Sequence, residues 1–257
     1  MALLETWELS KRFGGIQALD DASVTIEEGE LVGLIGPNGA GKTTFFNCVT
    51  GFLEPTGGSV YFAGDDVTAL SSAELAHEGL VRSFQHSRIL PTLSVLDNVR
   101  LAAPDHPGER TLAALRDGDD VAAREEEVTR RAEDLLERFD LAHRADEYAG
   151  RLSGGQRKIL EIARALMLDP ELLLLDEPYA GIDEDTVGDI SAYIEELNDE
   201  GMTFLVIEHG LESLVELVDR LIVLNQGEVL ADGPTESVIQ DEQVIKVYTG
   251  EPLEADQ

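Results

Sequence analysis

Gly36-Pro37-Asn38-Gly39-Ala40-Gly41-Lys42-Thr43-Thr44 decides the fold. The stretch fits GxxxxGK[ST], a phosphate loop whose glycines let backbone N–H groups turn inward around β- and γ-phosphates. The helix that follows adds the positive end of its dipole. Lys42 supplies a point charge for those phosphates, and the Thr43 hydroxyl can ligate Mg²⁺. Context matters as much as the pattern. The apolar run Leu31 to Ile35 reads as a strand leading into the loop, and Lys42 to Phe52 reads as a helix leaving it. A chance glycine-rich turn would not also fall between those two elements.

Working outward, Leu172-Leu173-Leu174-Leu175-Asp176-Glu177-Pro178 is the second signal. Four leucines bury a strand, and acids appear only where it ends. In open α/β sheets, ligands bind beyond the carboxyl ends of strands. Asp176 is placed to hold Mg²⁺ through water, and Glu177 to polarise an attacking water as a general base. Leu152-Ser153-Gly154-Gly155-Gln156 precedes a helix from Arg157 to Leu168. Serine and two glycines at a helix start can hold an anion, but a plain N-cap would look the same.

Strands and helices alternate before residue 70 and after Leu172, which predicts a parallel sheet. Expected strands are Leu3 to Leu9, Val24 to Ile26, Val60 to Phe62, Thr203 to Ile207, Leu221 to Leu224 and Val229 to Ala231. Expected helices are Ser71 to Gly79, Val121 to Phe139, Glu184 to Asn198, Leu211 to Leu217 and Glu236 to Tyr248. Residues 70 to 150 lack strand-like runs and read as a helical insertion. Trp7 and Cys48 read as packing residues.

Charge excludes several classes. The 257 residues carry 52 Asp plus Glu against 19 Lys plus Arg, a formal net charge of −33. A field this negative repels phosphate backbones and anionic bilayers, so nucleic acid and lipid surfaces are poor partners. A 43% hydrophobic content suffices for a core, so acidity does not mean disorder. One cysteine excludes a disulfide scaffold. No apolar run approaches the roughly 18 residues of a membrane span, and the start reads as lacking a secretory leader. At about 1 M salt the screening length is roughly 3 Å, so this charge suits a salt-rich, halophilic cytoplasm.

Taken in order, these motifs resemble the ATP-binding-cassette (ABC) ATPases. The resemblance spans about residues 3 to 250. It implies an α/β P-loop NTPase fold with a mixed sheet core, an N-terminal antiparallel β subdomain and an inserted α-helical subdomain. One cassette domain would then occupy 1–250, with a RecA-like core at about 1–80 and 160–250 and the helical subdomain at about 82–155. An acidic tail, 251–257, follows. ATP and Mg²⁺ are the implied ligands. Ser153, Gly154, Gly155 and Gln156 resemble the signature that closes over ATP on an opposing subunit. Gln85 resembles the Q-loop glutamine that senses Mg²⁺ and the permease. His209 resembles the switch histidine that contacts the γ-phosphate. Phe13 sits where the family carries an adenine-stacking aromatic, and Asp183 resembles the D-loop acid. Two departures stand out. The D-loop reads Ala180-Gly181-Ile182-Asp183, and Gly210 follows His209 where an acid is frequent.

The finer match is to uptake systems for branched-chain or other hydrophobic amino acids. Ser10 to Leu19, Val81 to Leu90, Thr92 to Val99, Gly155 to Leu166 and Val244 to Gly250 are similar to that group. The resemblance implies two transmembrane permease subunits, a second ATPase subunit (a paralogue or a second copy) and, indirectly, an extracytoplasmic binding protein. It places the chain on the cytoplasmic face of the membrane. Keeping Gln85 makes it similar to the longer ATPase of such pairs. Urea and lipid-export ATPases, and soluble ATPases of iron–sulfur assembly, are the alternatives. DNA-end-handling relatives need a long coiled coil, for which broken helices leave no room.

Charge is uneven along the chain. Arg82 to Arg151 holds 11 basic and 15 acidic residues, and the rest holds 8 and 37. Either a docking face has shed its acidic coat, or arginines answer local acids along helices.

Overall fold

The computed structural model describes residues 1–83, 89–104, 118–208 and 210–249. Gln85, His209 and the expected tail 251–257 lie outside the described residues. The chain divides into two compact units. The first comprises Met1–Arg82, Glu171–Tyr179 and the chain from Ile194 onward. The second comprises Ser83–Pro170 and Ala180–Tyr193.

The first unit holds both sheets. Strands β1 (Ala2–Phe13) and β2 (Ile16–Glu27) form a hairpin, and β3 (Leu31–Ile35) leads into α1 (Lys42–Val49). Next come β4 (Gly57–Phe62), β5 (Asp65–Asp66), α2 (Ser72–His77) and β6 (Leu80–Arg82). Antiparallel pairing gives one sheet of order β2-β1-β4-β5. The later elements of this unit are β7 (Leu172–Asp176), β8 (Thr203–Ile207), α7 (Leu211–Leu217), β9 (Arg220–Asn225), β10 (Glu228–Pro234), α8 (Thr235–Val238) and α9 (Glu242–Thr249). They complete a six-stranded sheet of order β10-β9-β3-β8-β7-β6. Only its β10 edge is antiparallel, so the sheet is mixed.

Strands β3, β7 and β8 are buried at every position. This explains their continuous apolar runs, since a parallel strand covered on both faces has no solvent side. Helix α1 supplies Phe45, Phe46, Cys48 and Val49 to one core that includes Leu4 and Ile26 from the antiparallel sheet and Leu34, Leu174 and Leu205 from the mixed one. Burying such side chains contributes roughly 1.5–3 kcal/mol each before entropy is charged against it.

Several local expectations are corrected. Residues 70–150 do contain a strand, β6; at three residues it is too short for a pattern to show. The C-terminal helix is two helices, because Asp241 turns the chain. Its Oδ1 accepts from the backbone N–H of Gln243 at 2.7 Å and Val244 at 3.3 Å. Helix α1 ends at Val49, not Phe52. Trp7, expected to pack, is 67% exposed on β1, whereas Cys48 is buried.

The second unit is helical: α3 (Val95–Arg100), α4 (Gly118–Arg138), α5 (Gly154–Leu166) and the first part of α6 (Glu184–Asp199). It therefore reaches past the expected 82–155 span. Phe139 meets Tyr193 edge-on, with ring centroids 4.9 Å apart. Four of its described arginines answer nearby acids. Arg100 pairs with Asp97, Arg124 with Glu127 and Arg144 with Glu147, each three residues apart. Arg131 grips Asp169 with two nitrogens at 3.0 and 2.8 Å. Of the two readings of the charge balance, local pairing is what these arginines display.

Candidate functional site

The loop between β3 and α1 bends where glycine alone is tolerated. Gly36, Gly39 and Gly41 have φ of 153°, 82° and 106°. A Cβ on Gly36 would lie 2.2 Å from the Leu224 carbonyl oxygen, and one on Gly41 2.5 Å from that of Ala18. The loop is also tied from outside. The Gly227 N–H donates to the Ala40 carbonyl at 2.9 Å, and the Asp20 N–H to the Gly227 carbonyl at 2.9 Å. The Ala40 N–H donates to the Pro37 carbonyl at 3.1 Å. Asn38 completes the loop, and Thr43 and Thr44 fall in the first turn of α1 with Thr43 exposed.

Lys42 is 6% exposed, and its Nζ donates to the carbonyls of Gly36 at 2.5 Å and Pro37 at 3.2 Å. Burial holds its ammonium below the ordinary lysine range, while the charge of Glu177 works the other way. A buried cation held by two loop carbonyls suits an anion that brings its own oxygens. Near Gly36, burial pushes the Tyr248 phenol up to about 12, against the opposing effect of a hydrogen bond from the Gly36 backbone.

Asp176 ends β7 opposite Ile207 of β8 and is 2% exposed. Glu177 then adopts φ 52°, left-handed for a non-glycine residue, while its N–H still donates to Ile207 at 2.9 Å. Such backbone costs about 1–3 kcal/mol and clusters at functional sites. The flip carries the chain out of the sheet directly after Asp176. Glu208, 7% exposed, accepts the Tyr179 N–H at 2.7 Å and ties the following loop to the end of β8. Phe13 is 47% exposed at the end of β1, with the Lys11 ammonium 5.4 Å from its ring centre.

In the second unit, Ser153 caps α5 reciprocally. Its Oγ accepts the Gln156 N–H at 3.2 Å, and the Gln156 side chain accepts the Ser153 N–H at 3.1 Å. Gly155 is required by packing, since a Cβ would lie 2.2 Å from the Thr186 methyl. Gly154 has more room, with the Gly181 carbonyl oxygen 3.6 Å from an added Cβ. Asp183 caps α6 by accepting from Thr186, at 3.0 Å from the backbone and 2.9 Å from the hydroxyl.

The structure therefore gathers Lys42, the loop glycines, Asp176 and Glu177 in the first unit, and Ser153, Gly154, Gly155, Gln156 and Asp183 in the second. Sequence reasoning missed Arg82, Asn47 and Glu208. Arg82 donates to the Asp176 carboxylate at 2.5 Å and to Asn47 Oδ1 at 2.6 Å. No local pattern marks a pair 94 positions apart.

A glycine-shaped phosphate loop at the end of β3, with an acid closing β7 two strands away across β8, defines a P-loop nucleotide-hydrolase fold. The family model described as ABC transporter matches residues 19–180, and the chain belongs to that family of ATP-hydrolysing cassettes. It is 40% identical over 255 residues to the probable branched-chain amino acid transport ATP-binding protein LivG of Methanocaldococcus jannaschii, covering 98% of each chain. The lipopolysaccharide export system ATP-binding protein LptB of Escherichia coli is 38% identical over 251 residues, again 98% of each. A crystal structure of a nucleotide-free ATP-binding cassette from an ABC transporter superposes with a TM-score of 0.85 at 39% identity, covering 98% of this chain and 100% of that one.

Proposed function

We propose that this chain is the ATPase subunit of an importer for branched-chain or other hydrophobic amino acids, working on the cytoplasmic face of the membrane against two permease subunits. The single observation that supports the solute class is end-to-end likeness to LivG, at 40% over 98% of both chains. No described helix is long and apolar enough to cross a membrane.

In this reading, Gly36 to Thr44 wrap the phosphates, Lys42 balances their charge and Phe13 offers a face to adenine. Thr43 and Asp176 would hold Mg²⁺, with Gln85 as a further ligand. An exposed hydroxyl and a buried carboxylate are hard oxygen donors of the kind that cation takes. Bound with ATP, Mg²⁺ neutralises charge between the β- and γ-phosphates. Glu177 takes the proton of the attacking water, and His209 steadies the γ-phosphate. Ser153, Gly154, Gly155 and Gln156 meet the nucleotide of a second subunit, with Asp183 at that junction. Two subunits enclosing two nucleotides close together, and hydrolysis reopens them.

The likeness to LptB favours a second reading, lipid export. Purification of the tagged chain from detergent-solubilised membranes, with identification of co-purifying chains, separates the two. Two permeases with a nearby binding-protein gene are expected; export components in their place would overturn the import reading.

A further inference from the structure

Arg82 is the last residue of β6, at the edge of the six-stranded sheet, and it is nearly buried, with 10% of its side chain exposed. Three sets of contacts hold it. Its Nη1 donates to Asn47 Oδ1 at 2.6 Å and approaches Thr50 Oγ1 at 3.5 Å, both in or at the end of α1. Its guanidinium carbon lies 5.5 Å from the ring centre of Phe46 and 5.6 Å from that of Phe52. Its Nη2 donates to Asp176 Oδ2 at 2.5 Å. A long, flexible side chain is thus fixed at both terminal nitrogens and over two rings.

The acid it grips is buried at the strand end. A buried carboxylate needs a compensating cation, and a guanidinium offers charge together with a fixed fork. With one Asp176 oxygen committed to Arg82, the carboxylate cannot rotate freely. The bond runs to the helix that opens at Lys42 and Thr43, so the acid and the phosphate loop are held in register from the far end of α1.

We propose that Arg82 is a positioning residue for Asp176: a guanidinium fixed by Asn47, Phe46 and Phe52 that presets the buried carboxylate for the divalent cation arriving with nucleotide. The proposal rests on Asp176 being the cation's acceptor. Outer partners of ligating groups commonly change metal affinity by about 10–100-fold when removed. A merely structural arginine would instead weaken folding, or nucleotide binding, without regard to metal.

The test uses the full chain and a fluorescent ATP analogue, titrated in excess EDTA and at rising Mg²⁺, beside thermal unfolding without nucleotide. For Arg82→Gln we expect affinity in EDTA within about twofold of the parent, and the Mg²⁺ concentration for half-maximal tightening raised about tenfold or more. Arg82→Lys, which keeps the charge and loses the fork, falls between the two. If Arg82→Gln does not fold, Asn47→Ala serves, since it leaves the ion pair and loosens the guanidinium. A severalfold rise in Mg²⁺ requirement is then expected. An unchanged Mg²⁺ requirement in whichever variant folds, or equal losses with and without Mg²⁺, overturns the proposal. Asp176→Asn checks the premise separately. It should lose most of the Mg²⁺ response, and a parental response would remove Asp176 as acceptor and the proposal with it.

Discussion

At Glu177 the backbone turns left-handed as the chain leaves β7. A left-handed glutamate directly after a buried strand persists only where its neighbours over-determine it, and the Ile207 carbonyl and buried Pro178 do so. Glu177→Gln keeps shape and strain but removes the carboxylate proposed as the base. ATP turnover should fall by about 10²-fold or more while ATP affinity holds; parental turnover in a phosphate-release assay would end the catalytic assignment. Cys48 is the opposite case, a nucleophile out of use. Burial pushes its thiol up to about 11, with Lys11 pulling slightly the other way. At pH 8 it should carry roughly a hundredfold less thiolate than an ordinary cysteine. Iodoacetamide should label the folded chain slowly and the urea-unfolded chain fast; similar rates would contradict the burial. Residue identities in Gly36 to Thr44 were legible because each answers a local need of the loop. Arg82 was not, because its need arises across the sheet. Trp7 was misread because an aromatic in an alternating strand fits either face.

At the scale of elements, α5 and α6 meet at a glycine. Thr186 cannot simply turn its methyl away from a new Cβ, since its hydroxyl is bound to Asp183. Gly155→Ala should cost on the order of 1–3 kcal/mol in urea unfolding. Adding Thr186→Ser, which deletes the methyl and keeps the hydroxyl, should recover part of it. No loss in the single variant would show that the helices move apart at no cost. The Asp183 cap also predicts pH behaviour. Hydrogen bonds from the Thr186 backbone, then from its hydroxyl, hold the carboxyl below its ordinary 3.8. A depressed acid stabilises the fold above the unfolded value and loses that contribution as pH falls through the folded one. The stability gap between parent and Asp183→Asn should therefore stand at pH 5–7 and close below about pH 4. A gap independent of pH would assign it to packing. Elements with sustained patterns, such as β3, β7 and α4, could be read from sequence. The short β6 and the break at Asp241 could not, because three residues show no period and one capping aspartate resembles any surface acid.

For the whole molecule, the charge of −33 sets the solution behaviour. Self-repulsion among carboxylates is screened as the Debye length shrinks from about 10 Å at 0.1 M salt to about 3 Å at 1 M. Unfolding temperature should rise with potassium chloride across that range. A flat or falling curve would show that the acids are already balanced by local pairs like those of Arg100, Arg124, Arg131 and Arg144. Fold class followed from motif order and alternation together. The limits of the two units did not, since 180–193 joins the second unit through packing that no linear reading reveals.

The tie between Gly227 and the phosphate loop has a further consequence for genetics. Gly227 sits at φ 93° in the turn between β9 and β10, a Cβ added there would lie 3.0 Å from the Leu19 Cα, and its N–H holds Ala40. A bulky residue there would distort a loop made almost two hundred positions earlier in the chain. Selection for lost uptake should return Gly227 alleles whose biochemical lesion is indistinguishable from one in the loop, so a map of defects drawn along the gene would scatter a single mechanical unit over its two ends.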